Sequence, residues 1–194
     1  MGNTVHSRNR RGMARALGLW VLLAASPGAA AVTMTQALAE AFPGARVERR
    51  AIALSEGQAR AVETRARVKL SSRLVTAYLA RRDGALVGTA FFDIRTVRTM
   101  PGVFMIVVAP DSTVTRVDVL AFHEPPDYRP TARWLALAAH RRLGESLWPG
   151  RDLPNLSGAT LSARAVTEAT RTALALFEVA VAPAMAGSRQ LEGP

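Results

Sequence analysis

Four apolar segments in the middle of the chain are spaced like the strands of successive β-hairpins. The dipeptide Asp83-Gly84, a strong signal for a tight hairpin turn, separates the first two. The third is uninterrupted apolar sequence, which indicates a central strand, and the fourth alternates, with Val117 and Val119 facing inward. Strands at this spacing predict a mostly antiparallel sheet. The segments cover residues 74–80, 86–94, 103–109 and 114–122.

Helical patterns lie on both sides of these strands in the sequence. Residues 34–42, 55–69 and 131–143 each predict a helix. Residues 47–54 predict a further extended segment, and residues 163–181 show the longest helical pattern. The predicted fold class is therefore α+β, a mostly antiparallel sheet flanked by helices. The last helix is expected to bury Val166, Ala169, Ala173, Leu174 and Phe177.

The composition limits the chemistry that the chain can perform. Its 194 residues, 49% of them hydrophobic, suffice for one domain with its own core. The absence of cysteine excludes disulfides, iron–sulfur clusters and cysteine-ligated zinc. The histidines His6, His123 and His140 have no metal-ligand spacing, and no nucleophile elbow, Walker loop or Rossmann fingerprint occurs. We therefore predict no metal site and no catalytic residue.

The net charge of +10 comes from arginine, since Lys69 is the only lysine. A basic surface of this kind can favour nucleic acids or anionic membranes. However, the arginines are scattered among acidic residues, and no stripe of alternating basic and aromatic residues is present. Solvated arginines account better for the charge, and nucleic acid is not a predicted partner.

Residues 1–31 have the three parts of an export signal. A basic stretch from Arg8 to Arg15 precedes the apolar run 16–25, and residues 26–28 (Ser-Pro-Gly) break the helix before three alanines. The apolar run is about half of the ~20 residues that span a bilayer, so cleavage is favoured over a retained anchor. Sec export is favoured, while Arg10-Arg11 leaves the twin-arginine route open.

A proline-stiffened loop, residues 123–130, follows the last predicted strand. Loops displayed by a rigid sheet often carry function, and this one begins with His123-Glu124. Three roles are compatible with the pair: an acid/base pair, a loop that closes over a cofactor, or a structural contact.

A short turn rich in small and hydroxyl residues opens the last helix. The start of a helix collects unpaired backbone N–H groups and the positive end of the helix dipole, which together favour a phosphate. A simpler interpretation is that Thr160 or Ser162 caps the helix. The candidate phosphate-binding residues are Ser157, Gly158, Ala159, Thr160, Leu161 and Ser162.

This turn resembles the S/T-G-A-T-x-S/T motif of the FMN-binding domain family. The resemblance extends over residues 84–181, with the pair Gly84 and Gly88, a strand ending in Pro110-Asp111, and the His123-Glu124 loop in the family's order. The family includes periplasmic subunits of the sodium-pumping NADH:quinone reductase and of the Rnf complex. In those proteins a flavin transferase attaches FMN to the motif's threonine through a phosphoester after export. The resemblance therefore implies FMN at residues 157–162, joined to Thr160.

Two positions differ from the family's common pattern. Pro154 stands where an acidic residue is common, and the nearest acid is Asp152. After Glu124 the chain reads Pro-Pro-Asp (125–127), where Thr-Pro-Gly is usual.

The resulting expectation is an exported FMN-binding electron-transfer protein, a carrier or redox subunit rather than a stand-alone enzyme. Its expected partners are a flavin transferase and redox proteins of the periplasm or of the inner membrane's outer face. Two alternatives are a flavin-free exported binding or assembly module with the same fold, and a flavin-dependent reductase with its own small substrate. The predicted segments are a signal peptide (1–31), N-terminal helices and first strand (32–83), the FMN-binding domain (84–181) and a flexible tail (182–194).

Overall fold

The computed structural model of the protein describes residues 33–144 and 146–191, with side chains up to residue 186. The predicted signal peptide, residues 1–31, lies outside the described residues. Five antiparallel strands form one sheet in the order β1-β2-β3-β4-β5, so each strand pairs with its neighbours in sequence. The strands are β1 Arg46–Ala53, β2 Leu74–Arg82, β3 Ala85–Thr96, β4 Pro101–Val108 and β5 Val114–Phe122.

The longest helix is α4, which continues through one π-helical turn into α5. By length and composition the stretch Thr160–Ala186 would suffice to cross a membrane, but 67% of its most apolar window is buried inside the protein. This burial is typical of a core helix. The helices are α1 Met34–Ala41, α2 Glu56–Ala66, α3 Ala132–Ala136, α4 Thr160–Leu176 and α5 Ala182–Leu191, with a 3-10 turn at Pro126–Tyr128 and the π turn at Phe177–Val181.

One face of the sheet packs against α2 and α4. Val62 on α2 and Ala169 and Leu174 on α4 are buried with Phe104 and Ile106 of β4. Apolar positions at helical spacing thus meet the alternating inward positions of the strands. This packing fixes α4, and with it the turn at its start, against the sheet.

The opposite face of the sheet is covered by α1. Leu38 on this helix and Phe42 at its C-cap pack with Val107 of β4. Gly88 in β3 permits this approach, because a Cβ atom there would lie 2.7 Å from Cε1 of Phe42. The second glycine of the Gly84/Gly88 pair is therefore explained by packing, whereas Gly84 has a φ of +79° in the hairpin turn.

The structure confirms the predicted α+β fold and all four predicted strands. Val117 and Val119 are buried, as expected, and so are the five apolar residues assigned to the core face of the last helix. The extended segment predicted at 47–54 is the edge strand β1.

Two predicted segments differ from the structure. The helix predicted over 131–143 ends at Ala136, since the chain turns away at His140, which has a φ of +62°. There the His140 N–H donates to the Val114 carbonyl at 2.7 Å, and the Val114 N–H donates to the Arg141 carbonyl at 2.9 Å. Pairing with the start of β5 thus replaces the last helical turns. The predicted flexible tail, residues 182–194, is helical as far as Leu191, and Met185 packs in the main core.

Candidate functional site

The predicted turn forms the start of α4. Gly158 has a φ of +76°, a conformation that favours glycine, and Ala159 occupies the N-cap position. Alanine has no side-chain oxygen, so no side chain caps the helix. The alternative in which Thr160 or Ser162 caps the helix is therefore wrong. The first backbone N–H groups of α4 keep their capacity to bind an anion.

The hydroxyl residues of the turn have different environments. Thr160, the first residue of α4, is exposed, and so is Ser157. Ser162 is 1% exposed, and its Oγ atom has no hydrogen-bond partner within the described part of the protein. A buried hydroxyl without a partner is costly unless a ligand or water satisfies it.

A surface cavity of about 340 Å³ lies directly at this helix start. Five of the six predicted site residues line it, namely 158–162, whereas Ser157 does not. Gly158 leaves open space, since no atom lies within 4 Å of the position that a Cβ atom would occupy. The structure thus brings the exposed hydroxyl of Thr160, the unpartnered hydroxyl of Ser162 and the uncapped helix start to one cavity.

Two further residues line the cavity, and the sequence did not indicate them. Arg98 lies in the turn between β3 and β4, and Tyr128 lies in the loop after β5. The Cζ atom of Arg98 lies 4.6 Å from the centroid of the Tyr128 ring, a cation–π contact. They are 30 residues apart in sequence, so only their position beside adjacent strand ends brings them together.

Glu124 is a structural residue of this site. It is 7% exposed, and its Oε1 accepts the backbone N–H groups of Arg98, Thr99 and Met100 at 2.9, 2.6 and 2.8 Å. These backbone hydrogen bonds, that of Met100 first, hold the pKa of Glu124 below its ordinary 4.5. His123 is exposed. Of the three roles considered for His123-Glu124, the structural contact is the one that Glu124 performs.

Replacing Glu124 with glutamine is expected to lower the folding stability by an amount that depends on pH. The lowered pKa means that ionised Glu124 stabilises the folded state above pH 4.5, and that this stabilisation disappears as the pH falls through the folded pKa. Urea unfolding at pH 7 and at about pH 3.5 measures it. We expect Glu124→Gln to have a lower free energy of unfolding than the wild type at pH 7. This difference is expected to become smaller at the acidic pH. An equal difference in free energy of unfolding at both pH values would contradict the stabilising role of ionised Glu124.

The departure from the family pattern at Pro154 lies on the approach to the turn. The Pro154 carbonyl accepts a hydrogen bond from the indole N–H of Trp134 at 2.9 Å. This bond connects the segment before the turn to α3. Asp152, the nearest acid, accepts the hydroxyl of Ser146 at 2.8 Å and does not line the cavity.

A larger cavity, about 460 Å³, lies elsewhere, between β2, β3 and α4. Arg95 in its wall donates to Asp93 at 2.8 Å and to Thr172 at 3.0 Å, and its guanidinium lies 3.3 Å from the Glu168 carboxylate. Burial raises the pKa of Asp93, an effect that Arg95 opposes. Because these charges satisfy one another, we assign the network to stability. Among the residues described, no three His, Asp or Glu side chains form a metal-binding group.

A comparison with protein families finds a match that includes this turn. Residues 100–175 match a family model described as an FMN-binding domain. The match runs from β4 to the end of α4 and includes the whole turn 157–162. No curated protein matches the chain.

The residues at the cavity fit a phosphate group such as that of FMN. The unpartnered Oγ of Ser162 and the uncapped start of α4 offer hydrogen-bond donors. Arg98 brings a positive charge to the same cavity, and Gly158 leaves room beside the backbone. These are neutral and cationic donors with no carboxylate among them, which suits an anion.

Proposed function

We propose that this chain, whose residues 100–175 match an FMN-binding domain, is an exported FMN-binding flavoprotein that transfers electrons, with FMN joined to Oγ1 of Thr160 through a phosphoester. The observation that carries the proposal is the position of Thr160. It is the exposed first residue of an uncapped helix, beside the buried, unpartnered hydroxyl of Ser162. A phosphate held there would lie against donors that the fold has already arranged.

The surroundings of Thr160 suit attachment by another enzyme. A threonine hydroxyl is a weak nucleophile without a neighbouring base. Among the described residues, the cavity is lined outside the turn by Arg98 and Tyr128, so it contains no His, Asp or Glu side chain that could act as the base. A flavin transferase would supply the base. In that step a P–O bond to Thr160 Oγ1 forms, the bond from phosphorus to the leaving group of an activated flavin nucleotide breaks, and the hydroxyl proton passes to the transferase.

The protein's contribution to electron transfer is to hold the cofactor in a fixed position. Bound FMN supplies the redox chemistry. The chain anchors the phosphate at the start of α4, which is itself packed into the core along its length. Its redox partners would be proteins of the periplasm or of the inner membrane's outer face.

The proposal is tested on full-length protein that is exported from a host containing a flavin transferase. After denaturation and gel electrophoresis, flavin fluorescence is expected to remain with the protein band. Fluorescence that is lost on denaturation would indicate non-covalent FMN. Protein without flavin under any condition would contradict the flavoprotein function and support a flavin-free module.

The same preparation tests the role as a carrier. Chemical reduction is expected to bleach the flavin absorbance, and an added protein acceptor to restore it. Turnover of a small substrate with a reductant would instead indicate a reductase. Export predicts that the purified chain lacks the segment 1–31.

A further inference from the structure

The turn that carries Arg98 is held by hydrogen bonds at its base. The Val97 N–H donates to the Met100 carbonyl at 3.0 Å, closing the turn. The Glu124 carboxylate accepts hydrogen bonds from the backbone N–H groups of the three residues that follow Val97. Such bonds to a charged acceptor are about twice as strong as neutral ones. The backbone of Arg98 is therefore fixed although its side chain lies at the surface.

Tyr128 supports the Arg98 side chain from the neighbouring loop. Its backbone N–H donates to the Pro125 carbonyl at 3.0 Å within the 3-10 turn. The guanidinium of the next residue, Arg129, donates to the Val119 carbonyl at 2.8 Å. Stacking on Tyr128 occupies a face of the Arg98 guanidinium, while its N–H donors lie in the plane and stay available. Within the part of the chain that the structure describes, this guanidinium has no ion pair.

Among the described residues that line the cavity, Arg98 is the one that carries a full charge. The start of α4 and the Ser162 hydroxyl are neutral donors, which bind a phosphate but contribute only partial charges. The phosphate of free FMN is a monoester with close to two negative charges at neutral pH, and one negative charge remains after it is joined to Thr160. A guanidinium whose N–H donors are available can form paired hydrogen bonds to a phosphate.

We infer that Arg98, stacked on Tyr128 and held by the Glu124 carboxylate, recognises the phosphate of the flavin and makes the cavity selective for FMN over riboflavin. The inference rests on the proposed function, because it concerns the same cavity. Riboflavin lacks the phosphate and gives Arg98 no anion to bind. Glu124 acts as a positioning residue through the backbone of the turn, and it does not contact the flavin.

The experiment uses full-length protein produced without a flavin transferase. Dissociation constants for FMN and for riboflavin are measured by quenching of flavin fluorescence in the wild type, Arg98→Met and Arg98→Lys. Arg49→Met is the matched control, because Arg49 is an exposed arginine on the edge strand β1 and does not line the cavity. It removes the same charge from the protein at another place.

We expect Arg98→Met to weaken FMN binding by about 10- to 100-fold, the usual effect of losing hydrogen bonds to a charged group. Riboflavin affinity stays unchanged, which also shows that the cavity has kept its shape. Arg98→Lys restores part of the preference for FMN, because the charge remains. Arg49→Met leaves both affinities unchanged.

Two results overturn the inference. Equal FMN affinity in Arg98→Met and the wild type excludes a role in recognition, and a parallel loss for FMN and riboflavin indicates a merely structural residue. Either result leaves the proposed function intact when the exported wild type still carries flavin on the denaturing gel. A wild type that binds neither flavin and carries none overturns both.

Discussion

Replacing Thr160 with valine is expected to remove covalently bound flavin completely. Valine keeps the branched shape of threonine but has no hydroxyl oxygen to form the phosphoester. Thr160 is exposed at the first position of α4 and caps nothing, so folding stability is expected to change by no more than about 0.5 kcal/mol. The measurement is flavin absorbance that stays with the protein after denaturation and desalting.

Matched variants of the same turn separate attachment from binding. Ser157→Ala and Ser162→Ala retain Thr160 and are expected to keep covalent flavin. Thr160→Ser restores a hydroxyl and is expected to recover part of the attachment. If Thr160→Val carried as much covalent flavin as the wild type, the flavin would be attached to another residue and the assignment to Thr160 would be wrong.

Replacing Arg171 with methionine is expected to lower the free energy of unfolding by about 3–5 kcal/mol. Arg171 lies inside α4, is 1% exposed, and its guanidinium stacks 4.6 Å from the centroid of the Trp148 ring. Methionine has a similar length but no donors, so two buried and two partly buried hydrogen bonds to carbonyl groups are lost. The acceptors are the carbonyl oxygens of Arg65, Ala66, Gly144 and Leu147.

Urea unfolding at neutral pH measures this effect. Arg164→Met is the matched control on the same helix. The Arg164 side chain is 68% exposed and forms a surface ion pair with Glu168, so its loss is expected to cost below about 1 kcal/mol. A similar small loss for Arg171→Met would show that the loop between α3 and α4 is not held by this guanidinium.

The strands and the long helix were predictable because their signals are local. The Asp83-Gly84 turn and the alternation around Val117 and Val119 each depend on neighbouring residues, and the structure confirms both. The start of the long helix was predicted within about three residues, because small and hydroxyl residues mark it. The helix start is uncapped because Ala159 occupies the N-cap position, and the local sequence pattern did not indicate this.

The rest of the site depends on contacts between distant segments. Arg98 and Tyr128 meet the start of α4 only because the β3–β4 turn and the loop after β5 lie at the same end of the sheet. Likewise, the predicted helix 131–143 ends early because His140 hydrogen-bonds to β5, a partner that the helical pattern cannot reveal. Arg171 looks like any arginine of an amphipathic helix until its acceptors are assembled around it.

The most direct test of the central claim is the mass of one tryptic peptide from the exported protein. Cleavage after Arg151 and Arg164 releases residues 152–164, which contain the whole turn. The proposal predicts this peptide with the added mass of FMN less one water, and fragment ions that place the addition on Thr160. An unmodified peptide from a flavin-containing preparation, or an addition on Ser157 or Ser162, would contradict it.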